Sequence, residues 1–562
     1  TVTDGLVAIF DHLDAGGTIS AHNGFGFDFL ALAIEAERLG RRFDLVALAD
    51  AGQLVDTLIV SICRTPPMVE FGKSGSAERV MREHSLVATA ERLGIEVGKL
   101  GDLKALARRH GGFDMIPLDD PEYVGYAQRD GELQVAVTEA LGDLSDYELR
   151  EMRIMARLAS SITLAGFKVD QRLLAQRIAE GVTRERELTD WLIAEHGLPT
   201  TLPNGKVAKK PAATKAGQEA LLVAFESMGL DRRHIPRTRT GAPSLGKDAL
   251  DELSDLLDGL DGVEPGVFKL IEAVRAVNGI RTVYDTAAQH VRKDGRTHSS
   301  VLPLQASGRF SVRQPGLTVF GKRGGKHVER DIFVAAEGSS LVAFDLNQID
   351  SRAVAAHCQD ANYLKLFTGE HDIHTATAIE VLGDAKYREE AKVLNHGVNY
   401  GMGPEAMVKH AHKVGATSVT DKMAQDFVHA MDEKFPALKL WKDDQRKRAE
   451  LGDTLDNGFG RNMKADGQRA YTQAPALMGQ GGARDLMMES LLRMPVDVAE
   501  MVRAIVHDEF VLEIPDARLD EVIAAVLAAM TFEWAPSGRG VPIEAGYDGP
   551  AKSWGQAYAA KG

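Results

Sequence analysis

The sequence is short of several things, and each shortage removes a class of protein. Only two cysteines, Cys63 and Cys358, stand in 562 residues. That is too few, too far apart, for a disulfide framework, and they read as free thiols in a reducing cytoplasm. No apolar run approaches the roughly 18 residues that a membrane-spanning helix needs, and no basic start with a short apolar stretch marks a signal peptide. Repeats and low-complexity tracts are missing. No G-x-x-x-x-G-K-[ST] loop occurs, so a bound triphosphate would need another cradle. Positive charge is the minority sign, with a net charge of −15; this speaks to solubility, while binding depends on where charge sits.

What is present is a globular composition, 44% hydrophobic and 26% charged, long enough for three or four compact units at roughly 150 residues each. The first residue, Thr1, is not methionine, so the chain is expected to start inside a longer reading frame or after processing. Basic residues gather locally at Lys206, Lys209, Lys210 and Lys215; at Arg232, Arg233, Arg237 and Arg239; at Lys322, Arg323 and Lys326; and at Lys442, Arg446, Lys447 and Arg448. One such cluster is usually a solvated face, whereas four in an acidic chain suggest a segregated channel for phosphates.

Residues 1 to about 148 alternate short apolar runs with helical stretches, an α/β pattern. From about 149 the pattern turns helical. Leu174, Ile178 and Val182, then Leu188 and Leu192, step along one helix face. Residues 197–216 read as a mobile loop. A second mixed region starts near 300, is interrupted by a largely helical stretch at about 353–465, and regains strands near 500.

Two acidic segments carry the chemistry. Leu341-Val342-Ala343-Phe344-Asp345 predicts a strand ending on a carboxylate, with a helix soon after. Ala504-Ile505-Val506-His507-Asp508-Glu509-Phe510-Val511-Leu512 predicts a hairpin with three polar residues at its tip. Either alone reads equally well as a solvated turn. Together they offer two hard oxygen donors, and one or two carboxylates plus substrate phosphates suffice for Mg2+. Between them Arg388, Lys392, His396 and Tyr400 recur every fourth residue. On a helix they form one stripe of two cations and two rings, suited to a nucleoside triphosphate; an amphipathic helix with a basic edge is the plainer reading.

In this order the three segments resemble the polymerase motifs of family A DNA polymerases: Asp345…Gln348-Ile349…Arg352, Arg388…Lys392…Tyr400-Gly401, and His507-Asp508-Glu509. Asp372-Ile373-His374, Ser307-Gly308-Arg309, Gln480-Gly481-Gly482-Ala483-Arg484-Asp485 and Ser553-Trp554-Gly555 agree. The resemblance implies an α/β multidomain fold, a right-hand polymerase over 149–562, with a thumb at about 165–295, a palm at about 300–352 and 466–562, and fingers at about 353–465. It implies that Asp345 and Asp508 bind two Mg2+ ions (Mn2+ able to substitute), with Glu509 and Lys392 also catalytic. Arg388, Lys392, His374, His396, Tyr400, Asp350 and Gln348 would meet the dNTP. Arg309, Gln480, His507 and Arg469 would meet the primer–template DNA. Two positions depart from the family: Asp350 stands where Glu usually excludes a ribose 2′-hydroxyl, and His396 stands where Phe or Tyr is usual.

Residues 1–148 resemble, more loosely, a ribonuclease H-like 3′–5′ exonuclease domain. Asp28, Tyr126 and Asp130 match its second and third motifs. The D-x-E first motif is missing, so the chain is expected to be truncated within that domain and not to proofread. The plan resembles a bacteriophage replicase in a host cytoplasm, with a bacterial or organellar repair enzyme as the alternative. A polymerase-like DNA-binding scaffold without catalysis and a single-subunit RNA polymerase are the rival readings. The sequence names no clamp, helicase or primase partner.

Overall fold

The computed structural model describes residues 2–68, 77–98, 102–238, 241–257, 264–279, 282–322 and 328–560. Of the expected basic clusters, Arg239, Arg323 and Lys326 lie outside these residues.

The front of the chain is more helical than its apolar pattern suggests. Among its described residues the only strands are β1 (Ile19–Ala21) and β2 (Leu54–Asp56), paired in parallel. The buried Asp56 ends β2 and gathers the loop after β1 around itself. Its carboxylate accepts from Asn23 N (2.9 Å), Phe25 N (3.1 Å) and Leu58 N (3.0 Å). That loop delivers Asp28 to the start of helix α1 (Asp28–Arg38). Helix α2 (Pro121–Leu141) begins where the Asp120 carboxylate caps it and Pro121 fits the first turn. A capping box of Ser145 and Glu148 starts α3 (Asp146–Leu158), a helix buried almost all round.

Helix α4 (Gln171–His196) joins two cores. Leu174 packs into the main core, and Leu192 into a separate one with Leu221, Phe225, Leu250 and Leu270. Val182, expected on the buried face, is 44% exposed because it lies between the two. Residues 197–216, expected to be a mobile loop, are folded: Leu202 N donates to Lys206 O and Ala208 N to Thr200 O, while Leu198 and Ala212 enter the second core. Local backbone pairing and two apolar anchors override the Gly- and Lys-rich composition.

The central sheet is antiparallel. β3 (Ser339–Leu346) lies between β5 (Glu509–Pro515) and β6 (Ala545–Ala551), and β4 (Val502–Val506) edges β5. Leu341 to Phe344 are all buried, as expected of a strand covered on both faces. The stretch at 353–465 is helical as expected. It includes α5 (Ile349–Cys358), α6 (Arg388–Asn399) and α7 (Pro404–Lys413), and ends in a small hairpin of Leu455–Asp456 with Asn462–Met463. Helix α8 (Ala470–Arg493) packs on α5 so closely that a Cβ on Gly482 would sit 2.9 Å from the Ala353 Cβ. The short helix α9 (Trp554–Ala557), capped by Ser553, closes the chain against the sheet. Cys63 and Cys358 are both free thiols. Among the described residues no helix is long and apolar enough to cross a membrane.

Candidate active site

The sheet brings the two distant carboxylates together. Asp345, next to last in β3, is the ladder partner of Glu509, and Leu346 N donates to Asp508 O (3.1 Å). The hairpin tip differs from expectation. Only His507 and Asp508 form the turn, because Val506 already pairs with Glu509. His507 sits at φ 58, a conformation that costs a non-glycine residue and recurs at functional sites. Burial pushes the Asp508 carboxyl up to about 7, and the Asp345 and Asp350 carboxylates add to the push. Two crowded, hard oxygen donors fit a divalent cation, which would relieve their repulsion. Among the described residues no group of three or more His, Cys, Asp or Glu side chains could hold a metal alone, so oxygens from a substrate would have to complete any coordination shell.

Glu509 behaves differently from its neighbour. It is buried and accepts hydrogen bonds from Lys322 Nζ (3.2 Å), Arg330 Nη1 (3.2 Å) and the Tyr558 hydroxyl. With its oxygens so engaged, it anchors the turn.

A second carboxylate cluster begins where β3 passes into α5. Gln348 takes a left-handed conformation (φ 48) and turns the chain sharply, so that Asp350 lies in the first turn of α5. Asp350 accepts from Arg309 Nη2 (3.1 Å) and from the Tyr400 hydroxyl. Gln480, from α8, reaches the same hydroxyl. Arg309 and His507 also line a cavity of about 350 Å3 with Phe310, Arg484 and Ile505.

Helix α6 carries Arg388, Lys392 and His396. Tyr400 stands just beyond as its C-cap, its amide still bonded to His396 O (3.1 Å). Gly401 follows at φ +65, and a Cβ there would lie 2.8 Å from Tyr471 O; only glycine lets the chain leave the helix here. Asp372 caps the short helix Ile373–Thr377 and accepts from Arg388 Nε (3.2 Å). Burial and the cations Arg388 and Lys392 bring His374 down to about 4, although Asp372 pulls the other way. The His396 ring lies 4.3 Å from that of Tyr400 and stacks on His410 of α7 at 5.5 Å and 19°. His410 was missed from the sequence, because no periodicity links residues on two different helices.

With this geometry in view, the comparisons with known proteins are decisive. The family model described as DNA polymerase family A matches residues 210–556, more than half of the chain. The chain belongs to DNA polymerase family A. It is similar to the thermostable DNA polymerase I of Thermus filiformis, at 28% identity over 476 residues covering 76% of this chain and 54% of the relative. It is also similar to DNA polymerase I of Pseudomonas aeruginosa, at 26% identity over 469 residues covering 75% of this chain and 46% of the relative. The chain thus spans about half the length of these curated relatives. The fold matches the solved POL domain of Pol1 from M. smegmatis, in complex with DNA primer-template and dNTP. That match has a TM-score of 0.65 at 18% identity, covering 90% of this chain and 82% of the other. The right-hand polymerase fold expected from the motifs is therefore the observed one.

Other expected groupings fare unevenly. Asp28 at the start of α1 faces Tyr126 and Asp130, one turn apart on α2. Burial raises all three, and the Asp130 carboxylate adds to the shifts of Asp28 and Tyr126. Arg469 is exposed at the start of α8. In the cluster at 442–448 two of the four cations are turned inward or paired. Lys442 is buried and brought down to about 8, and Arg446 pairs with Asp443 and lies 3.8 Å over the Tyr471 ring. Arg232 and Arg233 are likewise spent on Glu219, Glu226 and Asp231. Helical spacing turns some cations inward and pairs others, which a count of charges does not reveal.

Proposed function

We propose that the chain is a template-directed DNA polymerase: the 3′-hydroxyl of a primer attacks the α-phosphate of a dNTP, forming a phosphodiester and releasing pyrophosphate. The observation that carries the reading is the convergence of Asp345 and Asp508 at one end of the central sheet. Residues 165–295 with the second core would be the thumb, 300–352 and 466–562 the palm, and 353–465 the fingers. Two Mg2+ ions, with Mn2+ able to substitute, would be held by Asp345 and Asp508 and would activate the attacking oxygen and stabilise the leaving one. Arg388, Lys392 and His374 would bind the triphosphate, and Lys392 would neutralise charge on the departing pyrophosphate. Tyr400 and His396 present rings to the sugar and base. Arg309, Gln480, His507 and Arg469 hold the primer–template, with the cavity beside His507 receiving the primer end. Primer extension with dNTPs against rNTPs tests this reading, and preferential use of rNTPs would favour the RNA polymerase alternative.

Asp350 is the expected sugar gate. It is one methylene shorter than the family's usual Glu, yet already engages Tyr400 and Arg309, so it stands back from the sugar. The parent should therefore discriminate against rNTPs more weakly than Asp350→Glu. Equal dNTP-to-rNTP ratios in the two proteins would remove the assignment.

His396 gives a pH prediction. Burial holds it below the ordinary value of about 6.5; Asp350 pulls it up, while His410 and Arg309 push it down. The ring is neutral at pH 7 without nucleotide, and a triphosphate favours the imidazolium. Binding then takes up a proton, so affinity should rise as pH falls from about 8 to about 6. The same N–H donor should improve dideoxynucleotide use. Parallel dNTP affinity and ddNTP selectivity curves for parent and His396→Phe over that range would show that the imidazole only fills space.

In the front domain, Asp28 and Asp130 supply half of a two-metal hydrolytic site, and Tyr126 would orient a water. We expect no excision of a 3′ mismatch by the pure protein in Mg2+ without dNTPs. Metal-dependent shortening of a mismatched primer would count against this.

A further inference from the structure

The Ser553-Trp554-Gly555 segment has no part in the reaction as described, yet the chain end it begins reaches the catalytic turn. Ser553 donates to Asp331 Oδ1 (2.9 Å) and caps α9, and Trp554 N donates to Phe333 O (2.9 Å), fastening the end of the chain to the edge of the palm. Trp554 is fully buried, with the Arg330 guanidinium 4.1 Å over its ring. One helical turn on, Tyr558 lies under the Lys322 ammonium, 3.9 Å from the ring centroid. Its hydroxyl is a junction: it accepts from Trp554 Nε1 and Arg330 Nη1, and donates to Glu509 Oε1. Arg330 Nη1 and Lys322 Nζ complete the shell around Glu509.

Glu509 is the ladder partner of Asp345 and the residue after Asp508. Left unpaired, it would add a third negative charge to a site where two carboxylates already repel. Held by two cations and a phenol, its charge is balanced, and its backbone is fixed where the strained His507–Asp508 turn ends.

We propose that Tyr558 is a positioning residue for catalysis: from the C-terminal end of the chain, its hydroxyl locks Glu509 and thereby sets the aim of Asp508. This rests on the polymerase reading above. The trapped hydroxyl has one proton to donate and two donors to satisfy, a set that phenylalanine cannot reproduce in the same volume.

The test is a double-mutant cycle in the full chain, read by single-turnover nucleotide incorporation. Tyr558→Phe is expected to slow incorporation by about 10- to 100-fold, with the dissociation constants for dNTP and primer–template within about twofold of the parent. In a Glu509→Gln background the same change should cost less than about twofold, since the lock is already broken. Tb3+ luminescence, a stand-in probe for divalent binding at the carboxylates, should show weaker binding in Tyr558→Phe. If that variant does not fold, Lys322→Gln, at a half-exposed position on the other side of Glu509, takes its place in the cycle. An effect below twofold, an equal effect with and without Glu509, or a loss confined to DNA binding overturns the proposal. An inactive parent overturns the polymerase reading instead.

Discussion

Asp345→Ala or Asp508→Ala should lower nucleotide incorporation by about a thousandfold or more. Each carboxylate would hold an ion that stabilises charge in the transition state, a contribution of several kcal/mol, and about 4 kcal/mol is roughly a thousandfold in rate. Primer–template affinity should change by less than about threefold, because DNA affinity generally rests on distributed cationic contacts and not on acidic side chains. Stability should not fall either. Asp508 is half-buried and crowded by Asp345 and Asp350, so removing one of the three relieves repulsion, and Tm should hold or rise. Extension by either variant within about tenfold of the parent would remove the assignment of these two residues.

The second large effect concerns stability. Helix α3 is joined to α8 through a buried ionic cluster. Arg484 pairs with Glu151 and Asp485, and Arg461 with both carboxylates. Tyr147 and Asn457 also donate to Asp485. All four charged residues are at most 4% exposed. Burial pushes Glu151 upward, but Arg484 and Arg461 outweigh it and hold the carboxyl below its usual range. Replacing one partner strands charge in the interior, at a cost of about 3–5 kcal/mol, whereas replacing a pair by apolar groups of similar size is far milder. Arg484→Met should thus lose about 3–5 kcal/mol in urea unfolding, and Arg484→Met with Glu151→Leu should recover most of it. A loss below about 1 kcal/mol for the single variant would show that water reaches the cluster. Gln480 lies one turn before Arg484 on α8, so the cluster also steadies a side chain assigned to DNA.

Much of this site was legible in the sequence, for identifiable reasons. The apolar run ending on Asp345, the two apolar runs around Asp508 and the four-residue spacing from Arg388 are local patterns, and local patterns survive folding. What was not legible depends on tertiary approach. Nothing in the chain places Asp350 beside Tyr400 and Arg309, stacks His410 on His396 or brings Tyr558 to Glu509; each contact joins separate elements. Charge counting failed for the same reason at Lys442, whose helix turns it inward. The loop at 197–216 was legible from composition, whereas the burial of Leu198 and Ala212 that anchors it was not. The front domain's strands were overestimated because short apolar runs there serve buried helices equally well.

The central claim is that Asp345 and Asp508 carry out nucleotide addition under the direction of a template. The most direct measurement is single-nucleotide extension of a primer–template in Mg2+, with each of the four dNTPs supplied alone on templates differing at one base. The account predicts that only the complementary dNTP is added efficiently and that the preferred dNTP changes with the template base. No extension, or addition of all four dNTPs at similar rates whatever the template base, would contradict it.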